Sequence, residues 1–132
     1  MTPRDLTLPA VATGGAIGTW ARLGVAEALP VHPGSWPWAT FLVNLAGAAL
    51  LGWAGTLLLE RTPPTAYRRP FIGGGLCGGL TTFSTLQLEV VELGRDGHAA
   101  LAGAYLVTSI VLGLAVVIAT SGVVRRAGLA PA

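Results

Sequence analysis

Lysine is absent from this chain of 132 residues, cysteine and methionine occur once each, and charged residues make up only 11%. A soluble domain carries roughly a quarter charged residues. So few charges cannot cover a globule of this size, and the length is that of about one domain. The lone Cys77 permits no disulfide within one chain and no metal cluster built from cysteine. His32 and His98 fall in separate connections, and no nucleophile stands beside a base, so the chain is not read as an enzyme.

What the chain does have is apolar length. Hydrophobic residues make up 52%, and the mean hydropathy is +0.67. Its 14 charges cluster and leave four charge-free runs, Leu6 to Ala21, Ala28 to Leu59, Pro70 to Leu88 and Gly97 to Val124, together 95 residues. A bilayer core of about 30 Å takes about 20 helical residues to cross. The expectation is an all-α integral membrane protein, one transmembrane domain over 1–132, with spans near 6–29, 36–59, 70–93 and 98–124. Prolines between Pro30 and Pro37, and at Pro63, Pro64 and Pro70, stop helices at the first two connections. The first run also resembles a secretory signal, with Arg4 ahead of it and Ala26-Glu27-Ala28 behind. Gly14, Gly15, Gly18 and Arg22 speak against that reading.

A net charge of +2 and a pI near 9.3 would suggest nucleic acid in a soluble protein. Here the arginines flank apolar runs, the pattern of membrane margins, and no nucleic-acid partner is expected. Arg4, Arg61, Arg68, Arg69, Arg125 and Arg126 share one side, against Arg95 and, if it reaches the surface, Arg22. That bias predicts both termini in the cytoplasm. Trp20, Trp36 and Trp38 gather at the first junction, where amphipathic rings prefer the headgroup level of membrane lipid.

The third span departs from an ordinary helix. Five of the seven residues from Gly73 to Gly79 are glycine, each costing about 1 kcal/mol inside a helix relative to alanine. A weak or broken helix is expected over this run. Carbonyls freed at such a break are hard oxygen ligands suited to a cation such as Na⁺, while glycines alone also suit close helix packing. Thr81-Thr82-Phe83-Ser84-Thr85 follows at once, with Gln87 one turn on, a stretch that lipid-facing helix would not carry. In the second span Thr40, Asn44, Gly47 and Leu51 share a face. In the fourth, Tyr105, Ser109 and Gly113 form a second polar stripe, and in the first, Gly14, Gly18 and Arg22 make a small-residue face ending in a cation that could draw anions into a vestibule. Glu27, Glu60, Glu89 and Glu92 all fall at or near span ends, so neutral donors without a central carboxylate are expected, a set suited to an anion rather than to proton-coupled cation export.

GGAIGTWAR (14–22), TFLVNLAG (40–47) and GLCGGLTTFSTL (75–86) together resemble the CrcB/Fluc fluoride channel family, over Gly14 to about Arg125. The resemblance implies an antiparallel dimer of four-helix subunits with a broken third helix, two fluoride pores, and a structural, non-transported Na⁺ at the dimer centre. By motif position the Na⁺ would be held by the carbonyls of Gly78 and Thr81. The pore residues would be Asn44, Phe83, Ser84, Thr85 and Ser109, with Thr40 and Tyr105 nearby and Arg22 at the vestibule. Phe83 would offer its positive ring edge to the anion. Leu86 stands where the family motif usually has a second phenylalanine. The dimer is formed with itself or with an oppositely oriented homologue, and the lopsided arginines, which fix one orientation, point to the separate homologue. The function implied is passive export of cytoplasmic fluoride across the cell membrane. A small multidrug-type exporter and a non-conducting membrane assembly subunit are the alternatives.

Overall fold

A computed structural model describes residues 3–60 and 67–127, leaving out the side chains of 3–5 and 59. Arg61, Pro63 and Pro64 lie outside the described residues, as does the side chain of Arg4. The chain forms helices α1 (Pro3–Ala28) and α2 (Trp38–Glu60), a π-helical segment (Pro70–Cys77), a single helical turn α3 (Gly78–Leu80), α4 (Phe83–Arg95) and α5 (Ala99–Arg126). Among the described residues α2 over Trp38–Leu58 and α5 are each long and apolar enough to cross a membrane. At 26 residues, α1 spans about 39 Å but is more polar. The third crossing is assembled from the π segment, α3 and α4.

The break falls later than the glycines suggested. Gly73 to Gly79 stay wound, and the chain opens only at Thr81 (φ −84°, ψ 153°) and Thr82 (φ −148°, ψ 119°). Packing against α1 outweighs the intrinsic cost of glycine. Gly14 and Gly18 of α1 lie directly on the backbone of Phe71, Leu76 and Leu80, while Gly75 and Gly79 lie on that of Val11 and Gly15. A side chain at any of these four positions would run into main chain. The small-residue face read in the first span is thus the seam that holds the third.

The other half pairs α2 with α5, where Ser121 Oγ donates to the Gly52 carbonyl at 3.2 Å. Phe41, Leu86, Leu93, Ala102 and Tyr105 form the buried cluster between α2, α4 and α5. Trp36 closes it, its ring edge-on to Phe41 and Tyr105 at 5.4 and 5.3 Å, so this tryptophan is a packing residue. Trp20 and Trp38 stay exposed, as headgroup-level rings would. At one end of the bundle Gly34, with φ +70°, lies over the His98 ring and joins the α1–α2 loop to the turn after Arg95. The opposite end gathers Arg69, which binds the Leu58 carbonyl, and Arg125, paired with Glu60 at 2.6 Å. α5 turns Ile110, Leu114 and Ile118 outward, each more than half exposed.

Candidate functional site

Thr82 caps α4, its Oγ1 accepting from the Thr85 N–H at 3.2 Å. In an unbroken helix that N–H would bind the carbonyl of Thr81. The Thr82 N–H would likewise bind that of Gly78, but donates instead to Asn44 Oδ1 at 2.8 Å. Asn44 Nδ2 returns a bond to the Thr82 carbonyl at 3.1 Å. Asn44 thus splints the break, and the helical partners of the Gly78 and Thr81 carbonyls are diverted. The Gly79 carbonyl is taken by Arg22, whose Nε donates to it at 3.2 Å. The half-buried Arg22 is thereby tied to α3, the turn just before the break.

Beside the break lies an open cavity of about 550 Å³, lined by Asn44, Gly78, Thr81, Phe83, Leu86 and Ser109 among others. Asn44 presents an amide whose orientation is fixed, because its oxygen accepts from Thr82 and one of its N–H groups is spent on the same residue. The second N–H has no partner among the described residues. Ser109 Oγ is shielded from solvent and makes no hydrogen bond among the described residues. Phe83 is 64% exposed at the cavity rim, whereas Leu86 is buried in the cluster with Phe41 and Tyr105.

Thr40, Ser84, Thr85 and Tyr105 are not among the residues that line this cavity. Ser84 and Thr85 meet at Thr82 Oγ1, at 3.2 and 2.9 Å, and serve the cap. Thr40 Oγ1 and the Tyr105 hydroxyl each donate at 2.7 Å to the two oxygens of Glu89. Glu89 is 8% exposed and stands midway along α4. Glu89 lies towards the Arg95 end of the third crossing, as its place in the sequence indicated, but it is buried among the donors. Leu86, Glu89 and Leu93 share the buried face of α4, a spacing that marks Glu89 as inward-facing.

The residues 9–122 match the family model described as CrcB-like protein, Camphor Resistance (CrcB). The chain is 51% identical over 119 residues to a Mycobacterium bovis protein named Fluoride-specific ion channel FluC 1, covering 90% of each. The Mycobacterium tuberculosis protein of the same name matches equally, and the Hyphomonas neptunium protein named Fluoride-specific ion channel FluC is 40% identical over 118 residues, 88% of this chain and 93% of that one. The chain belongs to the CrcB family, a family of ion channels rather than enzymes.

Proposed function

We propose that this protein is a fluoride-specific channel subunit that lets cytoplasmic fluoride leave passively through the cell membrane. The observation that carries the reading is the cavity at the break, which Asn44, Phe83 and Ser109 line together, with one Asn44 N–H left without a partner among the described residues. Fluoride is small and tightly hydrated, so N–H and O–H donors must replace the water it sheds. A ring edge adds positive potential without a fixed charge that would trap the ion. An interior-negative potential drives the anion outward, and acidic surroundings remove it as neutral HF.

The family fold implies a resident Na⁺, and the carbonyls of Gly78 and Thr81 fit it: they are hard oxygens whose helical N–H partners are diverted to Asn44 and Thr82. Bound there, Na⁺ would supply positive charge that holds two breaks together across a dimer centre. The exposed apolar face of α5 and the rim position of Phe83 support an antiparallel dimer. The arginine excess at one end supports both termini being cytoplasmic and, because it fixes one orientation, an oppositely oriented homologue as the partner rather than a second copy.

Glu89 is the one observation that favours proton-coupled export instead. Reversal potentials in planar bilayers separate the two. A channel's reversal potential follows the fluoride gradient alone, and a shift with an imposed pH gradient at symmetric fluoride would favour the exporter.

A further inference from the structure

A second, smaller cavity of about 170 Å³ lies between α2 and the π segment. Leu51, Gly73 and Cys77 line both cavities, so the two share a wall. Along α2 the smaller cavity runs from Leu51 to Leu58, seven residues or about 10 Å. Arg69 lies at the Leu58 end, its Nε and Nη2 both donating to the Leu58 carbonyl, at 3.3 and 2.9 Å.

We infer that Arg69 is a fixed cationic collector, which concentrates small inorganic anions at the arginine-rich mouth of the smaller cavity and feeds them towards Asn44 and Ser109. The inference rests on the fluoride-channel reading and adds a mouth to it. Two of the five guanidinium N–H groups pin the side chain to α2, and three have no partner among the described residues. A carbonyl dipole orients the charge without cancelling it. The carboxylate nearest in sequence, Glu60, is held by Arg125 through a fork whose shortest contact is 2.6 Å, and residues 61–66 contain no acid. Elsewhere the lining is apolar or glycine, with Leu51, Leu58 and Ile72 among it. Low-dielectric walls around a fixed charge focus its field along the cavity. At the other end of the bundle the small pocket below the α1–α2 loop is lined by Glu89, Glu92 and Asp96 along with His32, so the pull on anions is one-sided.

The test is fluoride conductance at fixed low fluoride, with ionic strength raised on both sides by potassium gluconate. The Debye length falls from about 30 Å at 0.01 M to about 3 Å at 1 M. Wild-type conductance is expected to fall roughly tenfold across that range, the lower end of electrostatic steering effects. Arg69→Gln should start low and stay flat, converging with wild type at high salt, while Arg69→Lys should keep the wild-type slope. A purely structural Arg69 would change protein yield or melting and leave the slope alone. The inference is overturned if Arg69→Gln keeps the wild-type slope or if Arg69→Lys loses it. Should Arg69→Gln not assemble, Arg69→Lys decides by the same criterion. Wild-type protein without fluoride current would sink the channel reading itself, and that is seen before any variant is compared.

Discussion

At the scale of single residues, Asn44 holds the break and offers a donor with one amide. Asn44→Ala leaves the Thr82 N–H and carbonyl without their partner, so we expect a loss of about 1–3 kcal/mol in stability, read as a lower melting temperature in detergent. Fluoride flux should fall as well. Ser109→Ala differs, because Ser109 Oγ makes no hydrogen bond among the described residues that its loss would break. We expect unchanged melting and a flux lowered roughly tenfold, the kinetic equivalent of losing one hydrogen bond to an anion. Equal melting and equal flux would remove Ser109 from the path. Motif and spacing singled out Asn44, Phe83 and Ser109, which line one cavity in the structure. They could not show that Thr40 and Tyr105 turn to Glu89, because that depends on how α2, α4 and α5 meet.

At the scale of elements, the third crossing holds its shape by contact rather than by propensity. Gly18→Val would drive methyl groups into the backbone of Leu76 and Leu80, and we expect no folded protein by size-exclusion chromatography. Gly24 lies in the same helix with open space around it. Gly24→Ala should therefore be tolerated and gain up to about 1 kcal/mol. The cap offers a finer probe: Thr82→Ala should cost about 1 kcal/mol and Thr82→Ser little, measured by thermal melts. Four helical passes and a broken third were readable from charge-free runs, prolines and glycines. The position of the break was not. Glycine's cost is a property of an isolated helix, and here α1 offsets it, so the chain opens at the next residues, where Asn44 and the Thr82 cap accept the diverted backbone groups.

At the scale of the whole molecule, charge is scarce and the arginines gather at one end, which bears on both orientation and partnership. With Cys77 buried, a cysteine introduced beside Arg126 is a low-background reporter of sidedness. We expect membrane-impermeant thiol reagents to label it in inverted membrane vesicles and not in intact cells, and neutralising Arg68, Arg125 and Arg126 together should mix the two orientations. The claim on which all of this depends is selective fluoride conduction, and fluoride efflux from liposomes carrying the protein tests it most directly. With a potassium ionophore balancing charge, the expected result is release of fluoride with chloride retained, as read by ion-selective electrodes. Equal release of both ions, or release of neither, would contradict it.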